Sequence, residues 1–320
     1  MRLLDSAAIQ PDQIDALGHL NVRQYLVRAY GGNRELASLI GLPPKAAAGA
    51  LAPVRTGHYA RYHREQRLGA VVEVWGGVLE IGAETARTFC ELRNAASGEV
   101  AATVVFELAL EDQRNLSRRP WPAGTIELAQ SMRVELPTYA APRTLSVDPP
   151  TADITFEALL ARVGPAGDGG MSGLAERTIA AEECDDFGYL RDGSMEPLTG
   201  ARTGNGGLDQ PIMDGDAGVR FGWAVLELKT TLFERPRAGD RLRSLGAIVG
   251  LHRKARHTRR WTFDTDSGKI VAVDDFVAVA FDLAARRAIE IPPALRAEFS
   301  KRHHAPNSPD RRSAPQTPGR

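Results

Sequence analysis

The stretch Asp15-Ala16-Leu17-Gly18-His19-Leu20-Asn21-Val22-Arg23-Gln24-Tyr25 decides how the rest of the chain is read. It sets a carboxylate and a glycine directly ahead of an apolar-periodic run. Leu20, Tyr25, Leu26, Ala29, Leu36, Leu39 and Ile40 recur at helical spacing and predict a helix over about 20–40. Gly41-Leu42-Pro43-Pro44 ends it, because proline cannot continue the hydrogen-bond ladder. Such a turn places Asp15 beside the unbonded N–H groups and the positive dipole end of a helix. Those amides can stabilise an oxyanion, and the carboxylate can attack a carbonyl or activate water.

Working outward, the chain repeats itself at an offset of 170 residues. Asp15 falls on Asp185, Gly18 on Gly188, Leu20 on Leu190, Gly69 on Gly239, Gly76 on Gly246, Gly98 on Gly268 and Phe106 on Phe276. Overall identity is low. The alignment nevertheless needs no gap over more than a hundred residues, and its matches fall at turn glycines, where positive φ is expected. Each copy then runs into strand-like segments: Ala70–Leu79, Thr85–Arg93 and Glu99–Leu110 in the first, Arg241–Leu251, Arg256–Phe263 and Lys269–Phe281 in the second. Ala95–Gly98 and Thr265–Gly268 read as hairpin turns. The expected fold is α+β, each copy a helix against a mainly antiparallel sheet. Ser194–Gly218 is too rich in Gly and Asp for a clean helix in the second copy. The expected layout is a first module over 1–130, a linker over 131–172 carrying an extra helix within Thr151–Val163, a second module over 173–302, and a disordered tail over 303–320.

Bulk properties remove several function classes. The 320 residues suit two domains, and forty basic residues balance forty acidic ones, so no net charge draws the chain to nucleic acid or an anionic membrane. Cys90 and Cys184 form neither a disulfide framework nor a metal-ligand spacing. The longest apolar stretch, Val100–Leu110, is interrupted by Glu107 and too short to span a bilayer. A cytoplasmic protein without metal or other cofactor is expected.

The pattern Asp15-x-x-Gly18-His19-x-Asn21-x-x-x-Tyr25 resembles hot-dog-fold thioesterases of the 4-hydroxybenzoyl-CoA and acyl-ACP thioesterase type. In that family a long helix is wrapped by an antiparallel sheet and the active site lies where two hot-dogs pair. The resemblance implies two tandem hot-dog modules and hydrolysis of an acyl-CoA or acyl-carrier-protein thioester. Such a reaction needs a nucleophile or base and an oxyanion hole, but little acid assistance to the thiolate. It further implies that Asp15 is the nucleophile or general base, that His19 and Asn21 orient it or a water, and that amides near Gly18 and Val22 bind the oxyanion. Two departures stand out. Plant acyl-ACP thioesterases carry Asn two residues after the Asp, where this chain has Leu17. They also keep the working site in the second hot-dog, whereas the intact motif here is in the first. In the second copy His19, Asn21 and Tyr25 become Tyr189, Arg191 and Met195, which implies one working site beside a degenerate module.

Each residue has a plainer role to set beside the functional one. Asp15 would also cap a helix, His19 would bond the turn, Asn21 would satisfy helix N–H groups, and Tyr25 lies on the apolar face. Tyr25, His58 and Arg61 are candidate substrate contacts. His58, Arg61, His63, Arg64 and Arg67 form a basic strip that either meets CoA phosphates or a carrier protein, or is a solvated strand edge. A denser strip over His252–Arg260 is the preferred dock of the two. Competing functions are a hydratase or dehydratase on acyl thioesters and a non-catalytic acyl-CoA-binding module. A double hot-dog is expected as a monomeric pseudo-dimer or a homodimer.

Overall fold

The computed structural model describes residues 1–15, 18–42, 51–146, 148, 150, 153–163, 175–191, 213–215 and 219–301. In the first half, β1 (Arg2–Ala8) precedes α1 (Val22–Leu39). Then follow β2 (Leu51–Tyr62), β3 (Val71–Ile81), β4 (Thr85–Asn94), β5 (Val100–Asp112), β6 (Ser117–Arg119) and α2 (Ala123–Ser131). A crossing segment carries α3 (Phe156–Val163). The second half has β7 (Ala175–Thr178), β8 (Met213–Asp214), β9 (Arg220–Leu232), β10 (Arg241–Leu251), β11 (Ala255–Asp264), β12 (Ile270–Asp282), β13 (Arg287–Ala288) and α4 (Pro293–Lys301). No helix among the described residues is long and apolar enough to cross a membrane.

The strands form one antiparallel sheet in the order β1-β3-β4-β5-β2-β9-β12-β11-β10-β7. Each half of that order mirrors the other. Two hot-dogs are thereby fused edge to edge through β2 and β9, with Tyr59 opposite Lys229 and Arg61 opposite Glu227. Backbone geometry repeats with the sequence. Gly18 and Gly188 have φ +81° and +79°, Gly69 and Gly239 +80° and +90°, Gly98 and Gly268 +71° and +69°. Leu116 and Arg286, related by the same offset, share φ +55° and +52°, although neither is glycine.

The three strands predicted in each copy are present with shifts of a residue or two at their ends. The strands β2 and β9 were not expected. Pro53, Gly57 and the charged Arg55 and Arg61 break the alternation of β2, yet it is the seam strand, so His58 and Arg61 lie on no solvated edge, while Arg64 and Arg67 past its end are exposed. The short helices α2 and α4 were also not expected. Pro43, Pro44, the tail from 303 and most of Ser194–Gly218 lie outside the described residues.

The helix α1 lies in the concave face of the first half. Leu26, Ala29, Tyr30, Leu36 and Ala37 pack on Val72, Val74, Cys90, Val104 and Phe106. Full burial of Leu26 and Leu36 stabilises by about 1.5–3 kcal/mol each. The helix stops at a Schellman turn: Gly41, φ +87°, donates to the Ser38 carbonyl, and Leu42 donates to that of Ala37. Burial raises the Cys90 thiol to about 12 and leaves it inert. At Gly32 the helix backbone approaches the sheet so closely that a Cβ would sit 2.6 Å from Val74 Cγ1. Alanine gains about 1 kcal/mol in helix propensity, but the clash is with a stiff, fully buried β-branched side chain. Gly32→Ala is therefore expected to lower stability by a net ~1–2 kcal/mol, read as a lower urea midpoint.

On the convex face the inter-module segment covers both halves. Val134, Leu136 and Ala140 pack on Phe89 and Val105, Leu145 on Tyr59 and Val277, and α3 on Leu245, Trp261 and Phe263. With α1 on one face and this segment on the other, β5 is an almost continuously buried run rather than an alternating one. The segment is clamped at the seam. Arg61 Nη1 donates to the Ala141 carbonyl at 2.8 Å, and Lys229 Nζ donates to the Ser146 carbonyl at 3.0 Å. Glu227 accepts from the amides of Arg143, Thr144 and Leu145 and from the Tyr59 hydroxyl at 2.7 Å.

Candidate active site at the start of the first helix

The turn ahead of α1 is a small closed loop. Asp15 N–H donates to the His19 carbonyl at 2.8 Å and Gly18 N–H to the Asp15 carbonyl at 3.1 Å, with Gly18 in the left-handed region. Ile14 and Leu20 bridge at its base. The Asp15 carboxylate turns inward, and its Oδ1 accepts the His19 N–H at 3.1 Å. The side chain is 22% exposed, so it is shielded but reachable.

The His19 ring is buried beside it, with Nδ1 4.0 Å from Asp15 Oδ1. On the other side of the ring, Nε2 lies 3.4 Å from Glu65 Oε2 and 2.8 Å from Arg286 Nη2. Arg286 also pairs with Glu65. It follows β12 in the second half, so the two modules meet at this imidazole. Burial and the Arg286 charge hold His19 below the ordinary histidine value, against the opposing pull of Asp15. The ring is therefore neutral at neutral pH.

Asn21 is the helix N-cap: its Oδ1 accepts the Arg23 N–H at 2.9 Å and its carbonyl accepts from Gln24 at 2.8 Å. Val22 is the first helical residue, where N–H groups have no intrahelical acceptor. Tyr25 is core. Its hydroxyl accepts the Gln66 N–H at 3.0 Å and donates to the Arg64 carbonyl, tying α1 to the loop that carries Glu65. The turn thus gathers Asp15, Gly18, His19, Asn21 and Val22 into one place. His58 and Arg61 go elsewhere. His58 is 2% exposed inside the seam, against Arg55, Tyr30 and Phe106, and burial holds it neutral. Arg61 holds the crossing segment on the convex face. Ala16 and Leu17 lie outside the described residues.

In the denser basic strip His252 and Arg253 are exposed, but the residues from Arg256 onward do not face solvent together. Arg256 and Arg260 turn inward and stack on Trp223 and Phe276, while His257 and Arg259 pair with Asp275. Strand alternation splits the run between two faces. Among the described residues, no three His, Cys, Asp or Glu side chains converge as a metal site.

The twin turn in the second half has the same backbone and different chemistry. Asp185 Oδ1 accepts from the Phe187 and Tyr189 amides at 3.0 Å each, and Cys184 bridges Leu190. Its other oxygen faces Arg235 at 3.5 Å, which also binds Gln113 from the first half. Arg235 and Arg237 both lie over the Tyr189 ring. Here the carboxylate is countered by a cation and has no imidazole beside it. Glu65 and Arg286 were missed in the sequence because nothing local links a loop residue at 65 to a turn residue at 286. The one available signal was Arg286 aligning with Leu116 at the repeat offset.

The fold is thus a double hot-dog whose first helix starts beside a carboxylate and a buried imidazole. Residues 9–130 match the model of the thioesterase-like superfamily. Over most of its length the fold is similar to that of the 12:0-ACP thioesterase from Umbellularia californica, with TM-score 0.61 and 11% identity over 86% of this chain and 93% of that one. It is likewise similar to an acyl-ACP thioesterase from Bacteroides thetaiotaomicron, with TM-score 0.59 and 9% identity over 86% of this chain and 96% of that one. At such identities the likeness is one of fold. A search of curated proteins finds no match.

Proposed function

We propose that this protein hydrolyses acyl thioesters, of coenzyme A or of an acyl-carrier protein, with Asp15 as nucleophile or general base. The observation that carries the proposal is the Asp15 carboxylate, held by the His19 amide at the mouth of α1 beside a neutral imidazole. Asp15 attacks the thioester carbonyl, the C–S bond breaks and the thiolate leaves, and water then hydrolyses the resulting anhydride; or Asp15 takes a proton from a water that attacks, and the thiolate leaves from the adduct so formed. Negative charge then develops on the carbonyl oxygen. The Val22 N–H at the helix start is its proposed donor, since the Gly18 and His19 amides are occupied in the turn. Gly18 serves through its left-handed backbone, and Asn21 by capping the helix end that faces the substrate. In this reading the working module spans 1–130 and the degenerate one 173–302, joined by 131–172.

The test is thiol release from short, long and aromatic acyl-CoAs and from acyl-carrier-protein thioesters. Turnover of at least one is expected, and hydrolysis of none would refute the proposal. Asp185→Asn is expected to keep kcat/KM within about twofold of wild type, because Arg235 counters that carboxylate and Tyr189 replaces the imidazole. A large loss in this variant would place the chemistry in the second module.

A further inference from the structure

The contact that joins the modules at His19 has no part in the chemistry as stated above. We infer that Arg286 is a positioning residue: it fixes His19 in the Nδ1–H tautomer and so directs that proton toward Asp15, with Glu65 holding the guanidinium in place. The inference rests on the hydrolase proposal for what the tautomer is used for, but not for the tautomer itself.

A guanidinium has only donors, so the nitrogen it meets at 2.8 Å, His19 Nε2, must accept. A neutral imidazole accepting at Nε2 carries its proton on Nδ1, which lies 4.0 Å from Asp15 Oδ1. The charged groups facing the ring are Asp15, Glu65, Arg67 and Arg286. Of these, Arg286 makes the short contact to Nε2, and Glu65 pairs with it in turn.

The twin turn argues that the residue, not the backbone, matters. Arg286 sits at φ +52° in a turn whose first residue, Asp282, accepts from the amides of Ala284 and Ala285. The equivalent turn, from Asp112 to Leu116, takes the same form with leucine at φ +55°. Arginine is thus not required to build the turn. The position equivalent to Glu65 is Arg235, and that equivalent to His19 is Tyr189. Where the imidazole is absent, the Glu–Arg pair is absent with it.

The test is nitrogen-15 NMR of the full-length protein labelled at histidine, in wild type, Arg286→Gln and Arg286→Lys, alongside pH profiles of hydrolysis. Wild type is expected to show His19 as the Nδ1–H tautomer, titrating below the usual 6.5. In Arg286→Gln the tautomers mix and the titration moves up, since a cation that opposed protonation is gone. The acid limb of kcat moves up with it, and kcat falls about tenfold or more with KM little changed. Arg286→Lys, which keeps a cationic donor, recovers part of both signals. An unchanged tautomer and titration in Arg286→Gln would overturn the inference, as would a changed tautomer with unaltered kcat. A changed tautomer in a protein that hydrolyses no thioester would instead sink the hydrolase proposal and leave the positioning contact standing.

Discussion

Asp15→Asn is expected to lower kcat by about a hundredfold or more while leaving KM and stability nearly unchanged. The substitution separates chemistry from structure. Asp15 Oδ1 holds the turn by accepting the His19 N–H, and an asparagine Oδ1 can accept the same bond. The loop closed by the Asp15 and Gly18 amides needs no carboxylate. What is lost is the negative charge, and with it nucleophilicity and basicity. If Asp15 were only a turn residue, the variant would turn over at the wild-type rate. Steady-state kinetics on the best substrate of the panel, with a urea melt as control, distinguishes the two. The melt is expected to shift by less than ~0.5 kcal/mol.

Glu227→Ala is expected to cost about 3–5 kcal/mol, the largest stability loss we anticipate from a single change. The carboxylate is buried on the seam strand β9 and receives three amides of the crossing segment together with the Tyr59 hydroxyl of β2. Alanine leaves all four donors without their acceptor, and an unsatisfied buried donor costs about 1–3 kcal/mol, though such costs do not add fully. Glu227→Gln keeps an acceptor and should lose about half as much. Burial by itself would raise the Glu227 pKa, but the Tyr59 hydroxyl and the three amides more than offset it and hold the group below the usual 4.5. Its contribution is thus fully present above 4.5 and lost as pH falls through the lower, folded value. Urea midpoints between neutral pH and pH 3 check both points: wild type should lose an increment of stability below 4.5 that Glu227→Gln does not show.

Some of this was legible locally. The apolar spacing of Leu20–Ile40 led to α1 within two residues at each end, because one buried stripe on a helix has a period that sequence displays. Turn glycines at 18, 69 and 98 and their copies announced positive φ, because few other residues tolerate it, whereas Gly76 and Gly246, matched in the same way, lie inside β3 and β10 without positive φ. The turn from Asp15 to Asn21 was legible for the same reason: every group in it comes from one short segment.

What the sequence by itself determined, then, was the internal repeat, the helix, six of the strands and the carboxylate at the helix start. Those features are set by short-range periodicity and backbone sterics. The tertiary structure alone decided the rest. It made β2 and β9 the seam, although broken alternation hid both, because their side chains face different partners on the two sides. It split the His252–Arg260 run between an interior face and a paired one, which a count of charges does not reveal. It also brought Arg286 to His19, 267 residues away along the chain. Pairing two modules edge to edge creates contacts between turns that no local pattern encodes, and one of them adds the Arg286 charge to the burial that lowers the His19 pKa.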